Sequence, residues 1–287
     1  MPKVGLGTHA IKDVANTIYE SIKNGIRHFD CAFRYGNEKE IGEGIAQAIK
    51  DKIVKREDLF ITTKLWIADR SDPEGAIKKQ LEAFNLDYID LYLDHMPFSI
   101  LESERKIIKT PLHKLWPKME NLVKKGLAKS IGVCNYHVQL LMELLSYCEI
   151  KPVCNQIEYH PYLTEVDLVD YCKANSIVVI AYNSLCRGPY MSLHTEKNKN
   201  LLEETLVKKY AKKYGKSAGQ IALNFSLAQD ILVIPASRTT NRTLENLQSL
   251  SFRLNQEEIK SLLGLNENIR FNTTSQKEWS KGVNLFG

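Results

Sequence analysis

Short apolar runs alternate with longer segments in which apolar residues recur three to four positions apart, and the alternation continues through almost the whole chain. A short run of this kind reads as a strand and the amphipathic segment after it as a helix. Repeated βα units are therefore expected, rather than separate α and β domains. Eight strands are predicted, at 4–8, 27–32, 59–65, 90–95, 130–134, 154–159, 178–182 and 232–236. Eight is the number that closes a barrel whose side chains fill its interior. Between the fourth and fifth strands the helical spacing covers about 111–125 and stops at Gly126, because glycine readily takes the left-handed conformation that ends a helix. After the seventh strand come a Gly188-Pro189 loop and two helical segments, about 200–214 and 217–229. No linker, low-complexity tract or composition shift interrupts the series. Residues 1–287 thus read as one α/β domain, a (β/α)8 TIM barrel with extra helices and a C-terminal tail over its mouth.

Composition narrows the classes without choosing among them. The 287 residues are 44% hydrophobic and 25% charged, with a net charge of +5, as in ordinary soluble globular proteins. This excludes a small disulfide-stapled scaffold. The six cysteines, at 31, 134, 148, 154, 172 and 186, include no C-x-x-C pair and are expected to be free thiols. The seven histidines supply no H-x-x-x-H spacing, so no metal site is expected. The basic doublets at 124–125, 208–209 and 212–213 lie at helical spacing beside apolar residues, which is how solvated faces look, so nucleic acid is not an expected partner. No apolar run approaches the ~20 residues of a membrane-spanning helix, and the N-terminus lacks a signal pattern. A cytoplasmic protein without a membrane partner is the expectation.

In such a barrel the chemistry sits at the C-terminal ends of the strands, because that rim is open while the interior is packed. The second predicted strand leads to Asp30, with Tyr35 in the loop beyond; the third carries Lys64 near its end and the fourth ends at His95. Each alone has an ordinary explanation as a cap or a hydrogen-bonded core residue. A carboxylate, an ammonium, an imidazole and a phenol on three neighbouring strand ends are harder to explain that way. An ammonium near a phenol favours the phenolate and is expected to lower the ~10 of an ordinary tyrosine. Asp30 would keep Lys64 charged, which also argues against a Schiff base. His95 would be left to donate to a substrate oxygen. The set suits proton delivery to a carbonyl oxygen while a nucleophile attacks the carbon.

The nucleophile could be a hydride from a nicotinamide, although no G-x-G-x-x-G fingerprint follows a strand. After the eighth strand stands Pro235-Ala236-Ser237-Arg238-Thr239-Thr240-Asn241-Arg242, leading into a helix that carries Glu245 and Asn246. Hydroxyls, two arginines and a helix N-terminus make either a phosphate site or an ordinary solvated turn.

Three segments together resemble the aldo-keto reductase superfamily, of the aldose and aldehyde reductase kind, over nearly the whole chain. Residues 25–42 (GIRHFDCAFRYGNEKEIG) are similar to its first signature. Residues from Met119 through Ile131-Gly132-Val133-Cys134-Asn135-Tyr136 are similar to its second, and 155–162 (NQIEYHPY) add a third. The resemblance implies an eight-stranded barrel that binds NADPH without a Rossmann unit and reduces aldehydes or ketones to alcohols. It implies Asp30, Tyr35, Lys64 and His95 as a catalytic tetrad with Tyr35 the general acid. Tyr182 would lie against the nicotinamide, and Cys134, Asn135 and Gln156 would hold its carboxamide. Thr8, Asp30, Asn183, Leu185, Ser237, Arg238, Thr239, Arg242, Glu245 and Asn246 complete the implied cofactor contacts.

Departures from the pattern matter as much. Cys134 stands where serine is commoner, and a thiol is the weaker hydrogen-bond partner. Ala236 stands where lysine is usual, which removes a cation from the phosphate site. Arg242 matches the arginine that recognises the 2′-phosphate, and Arg238 could restore the lost charge, so NADPH is expected to be preferred with NADH possible. The N-terminal hairpin that often plugs the barrel base is expected to be shortened. At the mouth, Trp66 matches a substrate-wall position, whereas His9 and Met96 replace tryptophans common elsewhere, so the pocket should be less aromatic and more adaptable. Arg34, next to the acid, suits substrates carrying a carboxylate or phosphate, unless it pairs with Asp94 or Glu38. The segments 98–110 and 186–198 read as loops over the site, and the tail from 268, with Phe271, Trp279 and Phe286, should fold over the same mouth. By analogy with the family the protein would be a monomer. Two other readings stay open: a cofactor-binding regulatory or structural protein on the same barrel, and a barrel isomerase or lyase using the last-strand site for a phosphorylated sugar.

Overall fold

The computed structural model describes residues 1–104, 106–186, 199–237 and 239–272. Eight parallel strands form one sheet, in the order β1 (Leu6–Gly7), β2 (His28–Asp30), β3 (Phe60–Leu65), β4 (Ile89–Asp94), β7 (Ala128–Cys134), β8 (Cys154–Glu158), β9 (Val178–Tyr182) and β10 (Leu232–Val233). Parallel bridges Val4–Val233 and Gly7–Ala236 join the first strand to the last, with Gly5 N donating to Val233 O at 2.9 Å, and so close the barrel. All eight predicted strands are present. The first and last are shorter than predicted, because continuous ladder pairing there shrinks to two residues and isolated bridges.

Among the described residues ten α-helices pack around the strands: α1 (Val14–Lys23), α2 (Glu38–Lys50), α3 (Pro73–Phe84), α4 (Leu112–Lys124), α5 (Val138–Leu145), α6 (Val166–Ala174), α7 (Thr205–Tyr214), α8 (Ala218–Leu227), α9 (Thr240–Leu247) and α10 (Gln256–Leu263). The α4 helix stops where glycine was expected to stop it, with Gly126 at φ 72°. The first expected helix of the seventh crossover starts later than the pattern suggests, at Thr205 after a 3-10 turn at Leu201–Glu203. Ser217 caps α8 by accepting from Gln220 N, and Gln220 returns a bond to Ser217 N, so two otherwise orphaned donors are satisfied.

Period-two alternation divides the buried apolar strand residues between two cores. Along β4, Leu91 and Leu93 face the barrel interior with Cys134, Cys154, Ile180, Leu232 and Ile234, while Tyr92 faces the helices. Burying each leucine contributes roughly 1.5–3 kcal/mol. Gly132 on β7 is a packing requirement, since a Cβ there would stand 2.8 Å from both Cys154 Sγ and Leu93 Cδ2. His28 lies two residues before Asp30 on β2, bonded to Thr62 Oγ1 at 3.0 Å; burial pushes its imidazole down to about 4, so it is neutral.

The segment 98–110, expected to be a loop, contains an antiparallel hairpin, β5 (Ser99–Leu101) and β6 (Lys106–Ile108). It is anchored from below. The fully buried Arg70 guanidinium reaches Asp94 at 2.8 Å and Ser99 Oγ at 3.2 Å, and Tyr136 donates to the same Asp94 oxygen at 2.6 Å. No helix among the described residues is long and apolar enough to cross a membrane.

Candidate active site

Because the strands are parallel, the polar residues at their C-terminal ends meet at one rim. Lys64 Nζ, completely buried, donates to Asp30 Oδ2 and to Cys31 O, each at 2.7 Å. Gln156 Nε2, from β8 across the barrel, donates to the other Asp30 oxygen at 2.7 Å. The ammonium stands 5.2 Å from the centre of the Tyr35 ring, and the Tyr35 and His95 ring centres are 6.5 Å apart. The four groups expected to work together are therefore together.

Their electrostatics differ from expectation in one respect. Burial pushes the Tyr35 phenol up to about 12, and the nearby Lys64 offsets only part of that. The expected lowering fails because desolvation outweighs a cation whose charge is already shared with Asp30. Burial works against the Lys64 ammonium most strongly, yet Asp30 and Tyr35 together hold it above the usual lysine range. His95 is driven well below its usual value by burial, then by Lys64 and His9, and is neutral. Among the described residues its buried Nδ1 has no hydrogen-bond partner, which favours the tautomer carrying the proton on Nε2.

Tyr35 lies on a short 3-10 turn, Phe33–Tyr35, and the residues just after it fix that turn to three strands. Asn37 Nδ2 donates to Thr8 O at 2.9 Å, and Thr8 Oγ1 donates to Asp30 O at 3.0 Å. The buried Glu38 carboxylate accepts from Thr63 Oγ1 at 2.7 Å and Gln80 Nε2 at 2.8 Å, and Tyr92 OH donates to Gln80 Oε1 at 2.7 Å. Glu38 and Asp94 are thus bound to other partners than Arg34. The exposed Arg34 guanidinium instead lies over Trp66, 5.6 Å from the ring centre, and Trp66 meets His95 edge-on at 5.6 Å. His9 meets Tyr35 edge-on at 4.8 Å. Met96 packs with Trp66, Ile67 and Ile100, so the hairpin supplies part of the mouth.

On the opposite side, Asn135 takes φ 65° and places Oδ1 2.8 Å from the Tyr182 hydroxyl that donates to it. Its Nδ2 lies 3.1 Å from His95 O, 2.9 Å from Met96 Sδ and 3.1 Å from Cys134 Sγ. Among the described residues, Gln156 Oε1 has the Cys134 thiol, at 3.8 Å, as its one donor. That leaves acceptor capacity on two neighbouring side-chain amides, which is complementary to a carboxamide. At the end of β10, Thr239 caps α9, with Arg242 N 3.4 Å from its hydroxyl, and Ser237 Oγ donates to Thr239 O at 2.8 Å. A capped helix N-terminus with hydroxyls and the exposed Arg242 fits an anionic group.

Comparison with known proteins agrees with this geometry. The model of the Aldo/keto reductase family matches residues 3–267. The chain belongs to this family. Among similar curated proteins, an NADH-dependent D-xylose reductase of Candida parapsilosis is 41% identical, with 95% of this chain and 91% of the relative aligned. An NAD(P)H-dependent D-xylose reductase of Aspergillus niger is 40% identical over 95% of this chain and 92% of its own length, and one of Hypocrea jecorina 39% over 100% and 96%.

Not every expected contact of this aldo/keto reductase is gathered at the mouth. Glu245 accepts from Ser217 Oγ and ties α9 to the start of α8. Asn246 lies half-buried on α9, and Leu185 packs against the outer core. Arg238, residues 187–198, Trp279 and Phe286 lie outside the described residues. Sequence reasoning missed the Glu38 and Arg70 networks, and a third around Glu158. That carboxylate is fully buried and accepts from Asn183 Nδ2 at 2.8 Å, Phe271 N at 3.0 Å and Asn272 N at 2.9 Å, with His160 Nε2 at 3.1 Å. It links the residue after Tyr182 to the start of the C-terminal segment. The signal was present in the third signature as a charged residue within a predicted strand.

Proposed function

We propose that Tyr35 is the general acid of the NAD(P)H-dependent carbonyl reduction carried out by this aldo/keto reductase, with His95, Lys64 and Asp30 in supporting roles. The observation that carries the reading is the buried Asp30–Lys64 pair, 2.7 Å long and placed beneath Tyr35. Burying two charges costs several kcal/mol per ion before their attraction is counted, so such a pair contributes little to stability for its own sake. It gives a proton donor a fixed cation instead.

The carbonyl oxygen would sit between the Tyr35 hydroxyl and His95 Nε2. His95, held neutral, donates a hydrogen bond and orients the carbonyl. Bound reduced nicotinamide supplies the hydride for the carbonyl carbon. Tyr35 gives its proton to the oxygen as negative charge develops there, and Lys64 stabilises the phenolate left behind. Asp30 keeps Lys64 protonated and, through Gln156, aligned with the opposite wall. Asn135 and Gln156 would hold the carboxamide, and Tyr182 the ring.

The relatives' names support an open-chain aldose as one substrate. NADPH preference rests on Arg242 and the Ser237–Thr239 turn, while Ala236 keeps NADH use within reach. Titration with NADPH and with NADH, followed by tryptophan fluorescence, should give tighter binding of NADPH; adding D-xylose or an aromatic aldehyde should then oxidise the reduced cofactor. Equal Kd values for the two would remove the preference. Cofactor binding with no turnover across an aldehyde panel would favour the regulatory reading.

A further inference from the structure

We infer that Arg70, Asp94 and Tyr136 are positioning residues, whose buried network sets where His95 stands, holds the β5–β6 hairpin against the mouth and so governs the fit of the carbonyl substrate. The inference rests on the reading above, since it takes the carbonyl to lie at Tyr35 and His95. Three observations lead to it.

The first is what the network joins. Arg70 lies between β3 and α3, and its guanidinium donates to Asp94 Oδ2 at 2.8 Å and to Ser99 Oγ at 3.2 Å. Tyr136, just beyond β7, donates to the same Asp94 oxygen at 2.6 Å. Asp94 immediately precedes His95, and Ser99 opens the hairpin strand whose next residue, Ile100, packs with Met96 and Trp66. One side chain thus reaches both the strand end that carries the imidazole and the wall beside it.

The second is how His95 is held. Among the described residues its Nδ1 has no hydrogen-bond partner, so the ring is placed by its backbone and its packing. That backbone is tied by His95 N to Leu65 O at 3.2 Å and by Asn135 Nδ2 to His95 O at 3.1 Å, and the hairpin by Ile100 N to Ile67 O at 3.2 Å. The Arg70 fork braces residues 94 and 99 from below these bonds, and a planar guanidinium with two partners fixes direction as well as distance.

The third is energetic. Arg70 and Asp94 are fully buried, and among the described residues Arg70 Nε and Asp94 Oδ1 have no hydrogen-bond partner. Apolar side chains of similar volume would avoid that penalty and be as stable or more so. A network that is a poor source of stability is suited instead to fixing position.

Urea unfolding and steady-state kinetics of full-chain variants test this, with propanal and benzaldehyde as substrates and NADPH in excess. Arg70→Met strands the Asp94 carboxylate and should lower the urea midpoint and kcat together. The triple variant Arg70→Met, Asp94→Leu, Tyr136→Phe removes both charges and the phenol at once. Its midpoint should return to near wild type while kcat for both aldehydes stays at least about tenfold low, as for a misplaced reacting group. KM for benzaldehyde, the larger body for the hairpin wall to accommodate, should rise more than KM for propanal. The NADPH Kd should stay within a few-fold, because Tyr182 and Gln156 still hold Asn135. In Arg70→Lys the charge remains but cannot span both partners, so kcat should largely recover while the benzaldehyde KM stays raised. A triple variant with the midpoint and kcat of wild type, or an Arg70→Met that loses stability with kcat unchanged, would overturn the inference while leaving carbonyl reduction intact. Should the triple variant not fold, Arg70→Lys decides, since wild-type KM values for both aldehydes would overturn it. If the wild type reduced neither aldehyde, the underlying reading would fall with it.

Discussion

The two halves of the rim are built on different physics. On the β2–β4 side, charges are buried and bound to one another: Lys64 to Asp30, Arg70 to Asp94, Glu38 to Thr63 and Gln80. On the β10–α9 side, the groups proposed to bind the cofactor are hydroxyls, a helix end and an exposed arginine, and the neighbouring Ala236 is exposed as well. The proposed proton chemistry thus lies in a region where loss of one partner leaves a buried charge unpaired. The proposed site of cofactor choice lies where exposed side chains can be exchanged at low cost. Of the D-xylose reductases similar to this chain, one is named NADH-dependent and others NAD(P)H-dependent, which fits that division.

The sharpest break on the buried side is Tyr35→Phe. It should lower kcat by roughly 10²–10⁴, the usual worth of a general acid, while cofactor affinity by fluorescence titration stays within a few-fold. Lys64→Met should remove turnover as well and, because it strands the Asp30 carboxylate, cost about 3–5 kcal/mol in urea unfolding. If Lys64→Met unfolded like wild type, the pair would not be the costly element described here.

Acid should also act on the buried side. His28 is held at about 4 when folded and titrates near 6.5 when unfolded, so below 6.5 the unfolded chain takes up the proton first. Stability is then lost as pH falls from about 6.5 to about 4, by roughly 3 kcal/mol from this group, and the loss levels off below. His28→Gln should flatten that portion of a stability–pH curve. On the exposed side, Arg242→Ala should weaken NADPH binding by about tenfold, the scale of one charge-assisted contact, with NADH binding and kcat little changed. An equal loss for both cofactors would make Arg242 a general phosphate contact and weaken the contrast between the halves.

How much of this was legible in the chain follows the same division. The eight strands and the gathering of Asp30, Tyr35, Lys64 and His95 at one rim were readable because βα periodicity and strand-end polarity are local signals. The β5–β6 hairpin was not, since a short hairpin turning through Glu102–Glu104, with no Asn-Gly or Asp-Gly, looks like an irregular loop. Arg70 sits in the polar stretch Ala68-Asp69-Arg70-Ser71-Asp72, which reads as a solvated turn, and only the fold buries it. Glu38 reads as a first-turn helix acid, and its bonds to Thr63 and Gln80 span 25 and 42 residues. The direction of the Tyr35 shift was misread for a related reason: the neighbouring cation can be named from sequence, but the degree of desolvation cannot.

The brevity of the first and last strands bears on how the chain is made. Lys3 O and Val233 N, joined at 3.0 Å, are 230 positions apart, so the barrel cannot close until nearly the whole polypeptide has left the ribosome. At a synthesis rate of ~5–20 residues per second, β1 waits on the order of ten to fifty seconds for its second neighbour. A long strand left open for that time would template pairing with other nascent chains. The edge left open runs only from Lys3 to Gly7, and Gly5 and Gly7 within it carry no side chain to grip a stranger.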